Sequence, residues 1–583
     1  MRDPNLVFVD PLDPTSRDAF EQWLQTTQDE YLSIDTETTG LNVWHDRIRS
    51  VQFGDCDNGF FIPYEESDAA KHLVTWALWY TRSTGRPLSA HRMKFDSSFL
   101  QNADHNPEAI CQDGKASSAL IDSTCSGLKE ACERLWPGSN AGEAALKAVY
   151  KKTKTNFETI PLRTPEYVAY ATMDPVLESR LQRHNEPQII DRYLGLYEME
   201  LDVSLALQRA ERRGILVDLP YCQAQSDELH MQMNIIQEDW DWLNLGSGDQ
   251  VAEALAAGWG IELPLGPPGP KTGRRKPKTD EATLERYRGN ELVDVVFEYR
   301  GLQKNARTYF DAYLEQQVDG RIHTFIETLG ARTGRMSSRD PNLQNVPKRE
   351  AGDYVRQAFM ASPGRILVLA DYSQIEYRIF ASACGEPDMI QAVLDGEDLH
   401  AVTARMAYND PSIDSDDPRR GVAKNANFAE IYGAGISKFA ATAGITEAEA
   451  KAFKKKYHRA FPRVKSFGQA VMNYARDNDF VVETRFGRAI PVDDNMIYAA
   501  LNYMIQGSAA DVLKRAIQRI ATTEWDEFFV LPVHDELIFD VPVEEAPRLL
   551  RELPELMEDR DTFKVPLTID LSTAYRWGQK EAA

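Results

Sequence analysis

Cysteine is scarce in this chain and follows no pattern. The six residues Cys56, Cys111, Cys125, Cys132, Cys222 and Cys384 form no Cys-x-x-Cys pair. That excludes a disulfide framework and a paired-thiolate zinc site, and it suits reduced thiols in a cytoplasm. No apolar run reaches the length of a membrane span and no secretory signal is evident, so no membrane partner is expected. Internal repeats and low-complexity tracts are also missing. Positive charge is in deficit, with 66 Lys and Arg against 90 Asp and Glu and a formal net charge of -24. This argues against binding nucleic acid by global charge, while leaving room for a locally basic cleft. What is present is 583 residues with enough apolar content for several domains with large cores.

Within that frame the most informative segment is Arg420-Gly-Val-Ala-Lys-Asn-Ala-Asn-Phe-Ala-Glu-Ile-Tyr-Gly433. Arg420, Lys424, Phe428 and Tyr432 are four apart, so a helix turns each roughly 40° from the last and all share one broad face. Asp417 suits the N-cap and Pro418 the first helical position, which puts both cations near a helix N-terminus, where anions are favoured. Taken alone, the same pattern also describes a solvated helix with two salt-bridging cations and a core Phe.

Two carboxylate clusters flank this helix in sequence. Asp371 and Glu376 follow the apolar run Ile366-Leu-Val-Leu-Ala370, which reads as a buried strand after a Pro-Gly turn. His534-Asp535-Glu536 lies between Phe528-Phe-Val-Leu531 and Leu537-Ile-Phe539, which predicts a hairpin with the acids at its tip; Pro532 marks an edge or a bulge. Each cluster alone could be an acidic turn in solvent. A carboxylate directly after a buried strand nevertheless costs free energy unless it is paired or metal-bound. Near the N-terminus, Tyr31-Leu-Ser-Ile-Asp-Thr-Glu37 predicts a strand that places Asp35 and Glu37 on one face. His91-Arg-Met-Lys-Phe-Asp96 and Tyr170-Ala-Thr-Met-Asp174 follow it, and on a helix Tyr170 and Asp174 share a face.

These segments resemble, in order and spacing, motifs A, B and C of the family A DNA polymerases, preceded by the three exonuclease motifs of a proofreading domain. Ala331-Arg-Thr-Gly-Arg-Met-Ser-Ser-Arg-Asp-Pro-Asn-Leu-Gln-Asn-Val-Pro347 resembles the family's primer-template segment, and Leu501-Asn-Tyr-Met-Ile-Gln-Gly-Ser-Ala-Ala-Asp511 its template-contacting helix. The resemblance implies two-metal phosphoryl transfer, with Mg²⁺ pairs about 3.5 to 4 Å apart and Mn²⁺ as an alternative. It assigns Asp371, Tyr372 and Asp535 as metal ligands, with Glu536 beside them. Arg420, Lys424 and His400 would hold the triphosphate of a deoxynucleotide, and Phe428 would stack on its base or sugar. Glu376 and Tyr432 would exclude a ribose 2′-hydroxyl. Arg335, Asn502, Gln506, Gln374 and His534 would form the shell that reads the minor groove without sequence preference. In the proofreading site Asp35, Glu37, Asp96 and Asp174 would bind metals, and Tyr170 would orient the attacking water.

The sequence departs from the family pattern at several positions. Arg92 stands where relatives usually have Asn, Tyr498 replaces an expected Arg, Ala429 replaces a usual Gly, and Gly487-Arg-Ala-Ile490 is less basic than usual. The fold class implied is a multidomain α/β protein. Its expected parts are a ribonuclease-H-like exonuclease domain over about 1–190, a thumb over 191–318, a palm over 319–410 and 499–583, and fingers over 411–498. The basic run Lys271-Thr-Gly-Arg-Arg-Lys-Pro-Lys278 could be read as a nuclear-localisation signal. The resemblance makes it the thumb's duplex-contacting tip, with Lys271 on phosphate and binding that weakens with salt. Expected partners are primer-template DNA, deoxynucleoside triphosphates and replisome proteins, for a monomer in a bacterial cytoplasm. No flap-nuclease domain and no processivity-factor insertion are recognised, which points to a compact phage-type enzyme. A single-subunit RNA polymerase relative is disfavoured by Glu376 and the proofreading acids, and a nonenzymatic DNA-binding scaffold by two complete ligand sets.

Overall fold

The computed structural model describes residues 3–269, 273–347, 353–579 and 581–582. Lys271 lies outside the described residues. The N-terminal region builds a six-stranded sheet from β1 (Asn5–Phe8), β2 (Leu32–Thr38), β3 (Ile48–Gly54), β4 (Asn58–Ile62), β5 (Leu88–Ala90) and β6 (Ile110–Asp113), in the order β1-β4-β3-β2-β5-β6. β2, β3 and β4 pair antiparallel, whereas β5 and β6 add on parallel. Along β2 every residue is buried except Asp35 and Glu37, which are half-buried on the same face, as strand alternation requires. Helices α1 (Met93–Asn102), α2 (Leu128–Leu135) and α3 (Pro165–Gln188) then bring further side chains to that face.

The next helix, α4 (Leu194–Arg213), opens the segment expected to be thumb, yet it serves as a strut between units. Its buried Glu200 accepts from Lys514 at 2.7 and 2.8 Å and from Arg488 at 2.6 Å. Arg488 also donates to Asp511 at 2.8 Å, so two acids and two bases neutralise one another inside the protein. At the far end of α4, Glu211 bonds Lys94 of α1, whose ammonium also reaches the Ile326 carbonyl. Arg209 pairs with Asp526 at 2.6 Å. Beyond it stand the helices Leu219–Asp239 and Glu291–Asn305, and between these a short antiparallel pair joins Leu265–Pro268 to Arg275–Pro277.

The C-terminal region centres on a second sheet of β7 (Arg365–Tyr372), β8 (Phe529–Val533), β9 (Glu536–Pro542), β10 (Ile569–Ala574) and β11 (Glu581–Ala582), in the order β8-β9-β7-β10-β11, antiparallel throughout. Pro532 sits on the edge strand β8, beside a register shift between Phe529 and Leu531, where a missing amide hydrogen is tolerated. Helices α5 (Leu399–Tyr408), α6 (Pro418–Ile431) and α7 (Ala500–Ile520) stand over this sheet and share its core. Asp417 caps α6 by accepting from the Arg419 amide at 2.8 Å.

Candidate active sites

Two sites form, one on each sheet. In the C-terminal unit Asp371 is the next-to-last residue of the central strand β7, opposite Glu536 on β9 and Asp570 on β10. The Tyr372 amide donates to the Asp535 carbonyl at 3.1 Å, which ties the β8–β9 turn to the end of β7. The turn closes through His534 at φ 57°, and Gln374 takes φ 51° where the chain leaves β7. A cavity of about 550 Å³ opens above, lined by Asp371, Asp535 and Asp570 on the sheet side and by Lys424, Phe428 and Tyr432 of the α6 face opposite.

The side chains around this cavity hold one another. Glu376 accepts from the Tyr432 hydroxyl at 3.0 Å and from Arg335 on its other oxygen. Phe428 and Tyr432 stack at 5.9 Å between ring centres, and the Lys424 ammonium lies 5.9 Å from the Phe428 ring. His400 is buried, and burial, helped by Arg420 and Lys424 against the upward pull of Asp398, holds its imidazole down at about 4, so it is neutral at neutral pH. Asn427 donates to His400 Nδ1 at 2.9 Å, which puts the ring proton on Nε2.

Not every expected residue meets at the cavity. Arg420 donates to Asp398, the cap of α5, with Nε at 3.1 Å. Glu536 points into the core, where it accepts from the Trp577 indole at 3.1 Å and lies 3.9 Å from Arg356. Asn502 and Gln506 share a face of α7 outside the cavity's lining, while Arg335, Gln374 and His534 do line it. Tyr372 offers its backbone there, since its phenol is buried and donates to the Met557 carbonyl. Asp570 escaped sequence reading because only the register of β10 beside β7 brings it near Asp371.

In the N-terminal unit Asp35, Glu37 and Asp174 each offer a carboxylate oxygen within 4.8 Å of the others. Burial lifts Asp35 to about 6, and burial with the neighbouring Asp35 lifts Glu37 to about 8. A divalent cation would relieve that desolvated like charge, so the donor set fits a hard metal ion. Asp96 stands one layer back. It accepts from the Thr36 amide at 2.9 Å and hydroxyl at 2.7 Å, and burial raises its carboxyl as well. Tyr170 lies one helical turn before Asp174, its phenol pushed up by burial. The unforeseen member is Lys129 of α2: its ammonium contacts Asp174 and sits 4.2 Å from the Tyr170 ring, with burial lowering it to about 8. Nothing in its local sequence marks it, for only the packing of α2 beside α3 delivers it.

Comparison with known proteins bears on both units. The sequence profile of DNA polymerase family A matches residues 220–579, and that of a 3′-5′ exonuclease matches residues 13–188. The DNA polymerase of Mycobacterium phage D29 is 31% identical over 583 aligned residues, covering 94% of this chain and 92% of the relative. The thermostable DNA polymerase I of Thermus aquaticus is 33% identical over 409 residues, covering 66% of this chain and 49% of that protein. Among solved structures, the POL domain of Pol1 from M. smegmatis in complex with DNA primer-template and dNTP superposes with a TM-score of 0.76. It is 25% identical, over 98% of this chain and 99% of that one.

Proposed function

From the premise that this chain belongs to DNA polymerase family A and is a DNA polymerase with a 3′-5′ exonuclease domain, we propose how its residues divide the work. The carrying observation is that one cavity is lined by two strand-end carboxylates, Asp371 and Asp535, and by the cationic and aromatic face of α6. Asp371, Asp535 and the Tyr372 carbonyl hold the metals of synthesis; Asp35, Glu37 and Asp174, backed by Asp96, hold those of excision. Divalent cations, Mg²⁺ or Mn²⁺ and two to each site, supply activation of the attacking oxygen and neutralisation of the leaving one when bound.

The protein's own groups do the rest. Lys424 and the Nε2 proton of His400 contact the triphosphate of the incoming deoxynucleotide, and Arg420 joins them by exchanging Asp398 for phosphate. Phe428 stacks on the base or sugar. Glu376, fixed by Tyr432, fills the space a 2′-hydroxyl would need. Arg335, Asn502, Gln506, Gln374 and His534 face the nascent duplex in its minor groove. Glu536 supports the floor from below through Trp577 and Arg356. At the second site Tyr170 orients the water that attacks the terminal phosphodiester. The partners are primer-template DNA and deoxynucleotides; the enzyme acts as a monomer in a bacterial cytoplasm and meets replisome proteins there.

The test is extension of a labelled primer-template with one terminal mismatch, using all four deoxynucleotides and Mg²⁺, by the wild type and by Asp35→Ala/Glu37→Ala. Excision followed by full extension in the wild type alone is the expected result. Failure of both proteins to extend a matched primer would overturn the polymerase assignment, and excision by the double variant would overturn the N-terminal site.

A further inference from the structure

At the opposite end of β2 from Glu37 lies a groove of about 870 Å³ that neither active site uses. Leu32, the first residue of β2, lines it, and five residues of strand, about 16 Å, separate that end from Glu37, so an occupant would leave the metal ligands untouched. One wall is the helical rod made of α3, the π turn Ile189–Tyr193 and α4. The facing wall is the loop before β2 and the turn before β5, including Glu30 and Arg86.

Along the rod Glu186, Ile190, Leu194 and Glu198 recur every four residues, and all four line the groove. In an unbroken α-helix such a row drifts round by roughly 40° at each step, but the wider i→i+5 turn at its centre reduces the drift and straightens the row. Ile190 is 61% exposed and Leu194 44%. Two large apolar side chains thus face solvent on successive turns, framed by an acid at either end, and apolar surface with a charged rim marks an interaction site.

The charge of the groove is unbalanced. Among the described residues Glu30, Glu186 and Glu198 pair with no cation, and Glu186 accepts only from the Tyr31 hydroxyl. Asp29 is matched by Arg183 at 2.8 Å. Arg86, the one lining cation, donates to the Leu24 and Asp29 carbonyls at 3.0 and 2.9 Å, so it braces the loop and does not reach the acids. Nucleic acid would be repelled here, and a second copy of this chain would set one acid row against another. The complement is a helix that presents a basic, two apolar and a second basic side chain on successive turns.

We propose that this groove is a docking site for such an amphipathic basic helix of a partner protein, which lies along the row Glu186-Ile190-Leu194-Glu198. The apolar pair supplies the burial and the end carboxylates set the register.

The experiment measures fluorescence anisotropy of labelled helical peptides of about 16 residues, long enough to cover the row, with the full chain. The probe carries Lys, Leu, Leu and Lys four apart on an Ala/Gln background; one control replaces Leu by Ser, and the other replaces Lys by Glu. Wild type should bind the Lys-Leu-Leu-Lys peptide at least about tenfold more tightly than either control, and Ile190→Ser/Leu194→Ser should lose about tenfold. Glu186→Lys/Glu198→Lys should exchange its preference for the Glu-Leu-Leu-Glu peptide, a gain that a folding defect cannot produce. Primer extension and mismatch excision by both variants should stay within about twofold of wild type. No binding of the Lys-Leu-Leu-Lys peptide, equal binding of its Ser control, or undiminished binding by Ile190→Ser/Leu194→Ser would overturn the inference, the last two by reducing it to general attraction to an acidic chain. A concentration-dependent dimer that Ile190→Ser/Leu194→Ser dissolves would overturn it in favour of a second copy.

Discussion

Glu200→Gln should destabilise the junction of the two units far more than its conservative shape suggests. Glu200, Asp511, Arg488 and Lys514 are all buried and sum to zero charge. The substitution leaves a net positive charge inside and turns an amide donor toward the Lys514 ammonium, which in a buried network costs about 3 to 5 kcal/mol. One escape lowers that figure. Burial already depresses Lys514 to about 8, against the pull of Glu200 upward. Without Glu200 the amine falls further and sheds its proton near neutral pH, so the loss should settle near the lower end, about 3 kcal/mol, and shrink as the pH rises. The assay is denaturant unfolding followed by tryptophan fluorescence, for Glu200→Gln, Lys514→Met and the double variant, at pH 7 and pH 9. A buried charge pair requires the double variant to lose less than the sum of the singles by at least about 1 kcal/mol. Additivity, or a Glu200→Gln cost below about 1 kcal/mol, would refute the reasoning.

The remaining predictions concern the two sites. Asp535→Ala should lower primer extension at least about a thousandfold while exonuclease activity stays within twofold; retained synthesis would remove Asp535 from the metal set. Glu376→Ala should weaken discrimination against ribonucleotides by roughly 10- to 200-fold, measured as the ratio of kcat/KM values, since it opens the 2′ side and frees Arg335 and Tyr432. At the exonuclease site Asp35 at about 6 and Glu37 at about 8 must lose protons before a cation binds. Mn²⁺ affinity, read by electron paramagnetic resonance, should therefore fall about 100-fold from pH 9 to pH 6. The same raised carboxyls make the metal-free fold lose stability as pH climbs from about 4 to about 8, and a flat profile in both measurements would show that burial does not control the site. Lys129→Met should tighten Mn²⁺ binding up to about tenfold, because its ammonium competes for Asp174; unchanged affinity would exclude that competition.

What the sequence made legible is what short-range physics controls. Asp35 and Glu37 alternate on one strand, Arg420 to Tyr432 recur at helical spacing, and Asp417-Pro418 announces a helix start; each pattern is local, and the structure carries each as a local element. The side chains the sequence hid are those whose partners lie far along the chain. Lys129 meets Asp174 only because α2 packs beside α3, Asp570 reaches Asp371 only through strand register, and Glu200 finds Lys514 from 314 residues away. Arg420 and Glu536 show what local reading leaves out. Periodicity put Arg420 on the ligand face, but Asp398 on α5 competes for its guanidinium, and adjacency put Glu536 beside Asp535, but strand alternation turns it toward Trp577. A motif therefore fixes which residues can reach a site, while the longer-range partners set where each side chain rests in the free protein. For Arg420 this has a kinetic consequence: if nucleotide binding must break the Asp398 pair, Asp398→Asn should lower KM for the deoxynucleotide without slowing the chemical step. A raised KM would instead mean that Asp398 positions Arg420 for phosphate.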